Sequence, residues 1–185
     1  PRLDSLLNAI KTMKEDTTKA NTLREICDAY KTELNDLDKV GEYAIKLSEF
    51  SEKINYKKGI AYGASFKGIW NWKKGNYELA LLNYKKSLDI MQELGNKRGI
   101  STCYLNIGQV NAEQGNYPLA IEFMVKGIKL KEEIKEKKGV RVGYNNLGNI
   151  YATMGNYKEG LNYYFKALKI TEELKDRLGE SYAYD

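Results

Sequence analysis

The triplet Gly-Asn-Tyr occurs three times at intervals of forty residues, as Gly75-Asn76-Tyr77, Gly115-Asn116-Tyr117 and Gly155-Asn156-Tyr157. Two further glycine series keep the same step: Gly59, Gly99, Gly139 and Gly179, and Gly68, Gly108 and Gly148. Three registers agreeing on one period constrain the fold more than any single motif. Self-similarity at roughly 20 to 50 residues is the mark of a solenoid, whose units bury their apolar faces against one another. The cleanest copy is the stretch from Tyr144 to Tyr157, YNNLGNIYATMGNY.

Within each period the apolar residues recur at helical spacing, so the repeat reads as an A helix, a Gly-Asn-Tyr turn and a longer B helix. The glycine takes the left-handed conformation that closes an A helix, and the asparagine is a good first cap for the B helix. Asn156 with Glu159 three residues on resembles a capping box. Gly68, Gly108 and Gly148 fall inside A helices, where glycine costs about 1 kcal/mol against alanine. Close approach of the paired helix explains them, with Tyr84, Met124 and Tyr164 as the large residues packing on them.

On this frame the whole chain, 1–185, is one array. Residues 1–16 form the second helix of a truncated repeat, with Leu3, Leu6, Leu7, Ile10 and Met13 on one face of a helix over 2–14. Residues 17–56 form a degenerate repeat with Leu23, Ile26, Cys27 and Tyr30 on its first helix, Asn35-Asp36 as turn and cap, and Leu37 to Ile54 as its second. Clear repeats occupy 57–96, 97–136 and 137–176, and 177–185 starts another, with Gly179 to Tyr184 resuming the A-helix pattern. The last two clear copies share Gly139, Tyr144, Asn146, Gly148 and Ala152 besides the turn triplet.

Composition narrows the chemistry. There is no histidine, which removes the commonest general base and zinc ligand, and the two cysteines fall on non-adjacent repeats, predicting free, buried thiols and no metal site. No Gly-rich phosphate loop or nucleophile elbow occurs, so no enzyme activity, catalytic residue or cofactor is expected. No apolar run approaches the roughly 18 residues of a membrane span, and Pro1 does not open a signal-peptide pattern; the expected compartment is the cytoplasm. Residues 57–176 hold 20 lysines and arginines against 12 acidic residues. Such an excess steers acidic partners, although lysine on outward helix faces is ordinarily solvated surface.

A small residue at Gly148, an aromatic at Tyr151, glycine at Gly155, small residues at Gly160 and Ala167 and an aromatic at Tyr164 together resemble the tetratricopeptide repeat signature. Tyr144 stands where that family often has tryptophan. The usual late proline is replaced by Glu172, and the unit is longer than the common one of about 34 residues. Both departures resemble the long-B-helix subclass found in kinesin light chains, Pins-type polarity adaptors, bacterial Rap-type regulators and bacterial signalling sensors. The Lys-, Asn- and Tyr-rich text is most similar to the bacterial signalling arrays.

The resemblance implies an all-α fold, a right-handed α-solenoid of antiparallel helix pairs whose A helices line a concave, peptide-binding groove. Carried over position by position, the inward residues are Tyr62, Ser65, Ile69 and Trp72 with Phe66 beside them; Thr102, Leu105, Gln109 and Ala112 with Asn106; and Val142, Asn145, Asn149 and Ala152 with Asn146. Carboxamides offer both donor and acceptor and can hold an extended peptide by its backbone, while aromatic groups offer apolar pockets. Phe66 and Trp70 read as core. The family's carboxylate clamp needs a cation among the inward positions; here Arg141 and Lys73 only flank them, so that specificity is not implied.

The leading expectation is a protein-protein interaction module, a scaffold that binds a protein or peptide segment in trans or in cis within a larger signalling protein. The alternative is a basic-surface, nucleic-acid-binding helical repeat, motivated by fifteen tyrosines and the positive excess. Tyrosines at helical spacing are more simply packing residues, so nucleic acid ranks second, and no membrane partner is expected. An array opened within a repeat also predicts weak self-association through Leu3, Leu7 and Ile10 at one end and Leu168 with Leu174 at the other.

Overall fold

The computed structural model describes residues 2–182, with side chains through Leu174. All regular structure among them is helical: α1 (Arg2–Ala9), α2 (Thr17–Ala29), α3 (Leu37–Lys53), α4 (Lys57–Lys73), α5 (Tyr77–Glu93), α6 (Lys97–Glu113), α7 (Tyr117–Glu133), α8 (Lys137–Thr153) and α9 (Tyr157–Tyr182). From α4 onward the A helices start at Lys57, Lys97 and Lys137 and the B helices at Tyr77, Tyr117 and Tyr157, so each helix class repeats every forty residues. The chain is an all-α helical repeat solenoid, in which short turns make α3, α4 and α5 in one stretch and α7, α8 and α9 in another antiparallel neighbours.

The A-to-B turns are built by glycine. Gly75, Gly115 and Gly155 have φ of 80°, 78° and 79°, a conformation in which a side chain would clash with the backbone. Asparagine caps less than expected: Asn76 and Asn116 make no side-chain cap. Asn156 accepts from the Glu159 amide at 3.3 Å. In the degenerate repeat Asn35 takes the left-handed position (φ 50°), and Asp36 caps α3 by accepting from Lys39 N at 3.0 Å. A π-helical turn, Tyr30–Leu34, precedes it, a widening that the periodicity did not foretell.

The chain divides into two compact units, Pro1–Gly99 and Ile100–Asp185, with the boundary in the sequence of α6. The core of the first joins Leu23, Ile26, Cys27 and Tyr30 of α2 to Val40, Ala44 and Leu47 of α3 and Phe66 of α4. Leu3, Leu6, Leu7 and Ile10 are half-buried against it. The core of the second gathers Leu105, Ala120, Met124, Ile128, Val140, Leu147 and Ile150. Burying such side chains contributes about 1.5 to 3 kcal/mol each. Lys57 and Lys137 open their A helices with ion pairs to Glu93 (2.8 Å) and Glu173 (2.6 Å), the same pair two repeats apart.

The interior glycines behave as packing against a large residue requires. A Cβ at Gly68 would lie 2.5 Å from Tyr84 Cε1, one at Gly148 would lie 2.5 Å from Tyr164 Cε1, and one at Gly108 would lie 3.0 Å from Met124 Cγ. Trp70 packs its ring on Gly41. Cys27 and Cys103 are free and buried, and burial, with Asp28 beside it, pushes the Cys27 thiol up to about 12.

Two termini of the pattern differ from expectation. α1 ends at Ala9 rather than near residue 14: Lys11 N turns back to Asn8 O, and Asp16 then caps α2 through Thr18 N at 2.8 Å. The turn that the register places at 174–176 is absent, because α9 continues unbroken to Tyr182. Lys175 stands there in the place of Gly95, but Lys135 makes the same turn between α7 and α8 with φ 55°, so residue type at this position does not explain the difference. The resumed A-helix pattern of Gly179 to Tyr184 lies outside the described side chains.

Candidate functional site

The A helices carry the candidate residues on faces set by the 3.6-residue period. On α4, Tyr62, Ser65, Ile69 and Trp72 are half-buried in one stripe. The Arg24 guanidinium lies 5.4 Å from the centre of the Tyr62 ring, and Lys73 Nζ lies 4.0 Å from that of Trp72. A cation over each ring restrains it, and both rings remain partly exposed. Phe66 is only 6% exposed and belongs to the core, as its neighbourhood in the sequence predicted.

On α8, Val142, Asn145 and Asn149 are exposed and Asn146 is half-buried. The Asn149 carboxamide oxygen accepts from the Tyr164 hydroxyl at 2.6 Å, which orients the amide and leaves its NH2 outward. Asn145 opens on a depression of about 340 Å³ lined by Leu161, Tyr164, Phe165, Leu168 and Thr171 of α9. Leu161, Phe165 and Leu168 are among the most exposed large apolar residues, at 55%, 64% and 50%. A carboxamide above an apolar floor can hold a peptide backbone and one of its side chains together.

On α6 the candidates divide. Thr102 is exposed, and its hydroxyl receives Lys131 Nζ at 3.3 Å; Asn106 is half-buried. Gln109 is half-buried and donates to Glu113 at 3.2 Å. Leu105 leaves the surface altogether: it is 9% exposed and sits in the second core. Gly127 makes that possible, since a Cβ there would lie 2.8 Å from Leu105 Cγ. Leu105 occupies the register position of Asn145, so one position of the repeat is core in one copy and surface in the next.

Of the α9 residues around Asn145, the sequence reads Tyr164 as packing and Leu168 as an uncovered apolar residue, and does not single out Leu161, Phe165 and Thr171. Their signal is that Phe165 shares a register position with Ile45 and Val125, apolar and exposed at 38% and 46%, although Lys85 interrupts the column. Among the described residues no group of acidic, cysteine or histidine side chains could hold a metal ion, and no helix is long and apolar enough to cross a membrane.

Models of the tetratricopeptide repeat match residues 60–133 and 142–173, together more than half of the chain. No curated protein sequence matches. Among solved structures, the chain is similar to a Rap protein complexed with competence and sporulation factor, with a TM-score of 0.85, 18% identity, and coverage of 95% of this chain and 49% of that one. It is also similar to a Signal Transduction ATPase with Numerous Domains that has a tetratricopeptide repeat sensor, from Pyrococcus horikoshii. That match has a TM-score of 0.72, 24% identity, and coverage of 93% and 26%. BtubC from P. vanneervenii matches at a TM-score of 0.72 and 15% identity over 93% and 71%. The chain thus spans about half of the Rap protein and a quarter of the ATPase, and identities this low establish the fold alone.

Proposed function

Because the chain belongs to the tetratricopeptide repeat family, whose members are generally non-catalytic interaction scaffolds, we propose that it binds a peptide or protein segment on its A-helix faces and serves as the regulatory or sensory part of a larger signalling protein. The observation that carries this reading is the α8 face: Val142, Asn145 and Asn149 stand exposed in one stripe beside the apolar depression of Leu161, Phe165 and Leu168. Such a face has backbone-binding amides and an apolar anchor site in reach of each other. The α4 stripe, with Tyr62 and Trp72, is a second and more apolar contact face. The Rap protein complexed with competence and sporulation factor is consistent with this reading.

Several B-helix lysines are engaged locally. Lys46 pairs with Glu42 at 2.6 Å, Lys86 with Glu52 at 3.2 Å and Lys126 with Glu122 at 2.6 Å. A strand of nucleic acid would have to displace these carboxylates, which supports a protein ligand over a polyanion.

Selection of a displayed random-peptide library on this chain tests the proposal. Enriched peptides should lose at least tenfold in affinity on Asn145→Ala or on Phe165→Asp, with helicity by circular dichroism unchanged. Peptides that bind both variants as well as the parent, or no enrichment at all, would overturn it.

A further inference from the structure

A second depression of unit Ile100–Asp185, about 460 Å³, shares no residue with the A-helix stripes. Val140 and Tyr144 of α8 and Ile170 of α9 give it an apolar floor, and four lysines surround it: Lys135, Lys137, Lys166 and Lys169. Its two carboxylates are already engaged. Glu132 accepts from the Tyr144 hydroxyl at 2.7 Å, and Glu173 accepts from Lys137 at 2.6 Å. Lys166 Nζ lies 5.7 Å and 4.7 Å from the ring centres of Tyr144 and Tyr163. Lys135 and Lys169 make no hydrogen bond or ion pair among the described residues. Among the described residues the depression therefore carries four ammonium groups against two carboxylates over an apolar floor. The hydrogen bond from Lys137, and then the nearby charge of Lys169, hold the Glu173 carboxyl below the usual range, while Lys135 makes no direct ionic contact.

The backbone adds an independent observation. Lys135 has φ of 55°, and the equivalent positions in the other B-to-A turns are Asn55 (φ 53°) and Gly95 (φ 60°). Glycine and asparagine take that conformation cheaply and lysine does not. The turn itself is satisfied by glycine, as Gly95 demonstrates, so the lysine side chain answers some other demand.

Comparison within the molecule sharpens this. The first unit has a depression in the corresponding place, with Tyr43, Lys46 and Phe50 in the register of Tyr163, Lys166 and Ile170. There the cations are spent: Lys46 pairs with Glu42 and Lys53 with Glu15, each at 2.6 Å, and Lys19 lies 5.5 Å from the Phe50 ring centre. Repeat geometry makes the hollow in both places, but only the second leaves positive charge over it.

We propose that this depression is a binding site for a small amphiphilic anion, an aromatic or short aliphatic body bearing a carboxylate or phosphate. The volume falls in the range of small-molecule sites, roughly 300 to 1,000 Å³. Lys135 and Lys169 take the anionic head by charge-assisted hydrogen bonds. Val140, Ile170 and the Tyr144 ring receive the body, and Lys166 closes over it from α9.

Titration of the chain with 1-naphthyl phosphate, followed by amide chemical shifts, is the test. Saturable shifts are expected at the amides of Val140, Tyr144 and Ile170. Lys135→Gly should weaken binding at least fivefold while raising the urea midpoint of unfolding, because it removes the ammonium and relieves the backbone. Lys169→Gln should weaken binding comparably, and Lys46→Gln, in the first unit, should leave it unchanged. Inorganic phosphate or 1-naphthol alone should bind at least tenfold more weakly than the joined molecule. Absence of saturable shifts at millimolar probe, or an affinity indifferent to both Lys135→Gly and Lys169→Gln, overturns the proposal.

Discussion

Replacing Gly68 by alanine separates two opposing effects whose sizes are known. In a helix interior the substitution alone favours folding by about 1 kcal/mol, because alanine loses less backbone freedom. Against this, the new Cβ would lie 2.5 Å from Tyr84 Cε1 and 2.6 Å from Cδ1. The ring would have to retreat by about 1 Å to reach ordinary contact, and Tyr84 is 0% exposed, with packed neighbours on every side. Overpacking of this kind costs about 1 to 3 kcal/mol, so the net expectation runs from about zero to a loss of about 2 kcal/mol. Gly148→Ala meets the same contact from Tyr164, which is only half-buried and can swing outward, giving up its hydroxyl contact with Asn149. Its net effect should lie within about 1 kcal/mol of zero. Urea unfolding followed by helical circular dichroism, with amide exchange on α4 and α5 to localise the change, measures both. A Gly68→Ala chain that is more stable by about 1 kcal/mol, as propensity alone demands, would refute the assignment of Gly68 to close helix packing.

Three further outcomes follow from the geometry. Lys131 is 4% exposed and paired with Glu136 at 2.7 Å, in the register position of Met91; Lys131→Ala should cost about 2 to 4 kcal/mol, whereas Lys131→Met with Glu136→Gln should be nearly neutral in the same urea assay. Burial, then the hydrogen bond to Glu132, raises Tyr144 to about 12, above its unfolded value near 10. Stability is therefore unaffected below about pH 10 and falls as pH climbs to about 12; Tyr144→Phe should flatten that decline in thermal melts taken across the window. Cys27 and Cys103, both buried, should resist a thiol reagent at neutral pH in the native chain and react fully in denaturant.

Much of the architecture was legible before any coordinates. A forty-residue period carried by Gly75, Gly115 and Gly155 is written in residue type, because the left-handed turn admits few alternatives to glycine. The pairing of Gly68 with Tyr84 and of Gly148 with Tyr164 was likewise readable, since a glycine inside a helix calls for a large partner one helix away. The absence of histidine restricted the catalytic and metal chemistry in the same direct way.

Burial was the part that the alphabet alone did not carry. Leu105 and Asn145 share one register position, yet Leu105 is core because Gly127 leaves room for it, while Asn145 looks onto an open depression. Lys131 and Met91 also share a position and are both buried, although lysine ordinarily reads as surface. Whether a lysine such as Lys135 lacks a direct ion pair while Lys46 and Lys53 are paired likewise depends on which carboxylate each can reach. Period, helix type and turn chemistry are local properties of the chain, determined by backbone sterics and spacing. Exposure and charge pairing are relations between helices, and only the tertiary structure decides them, because they turn on which side chain from another repeat fills or vacates the space alongside.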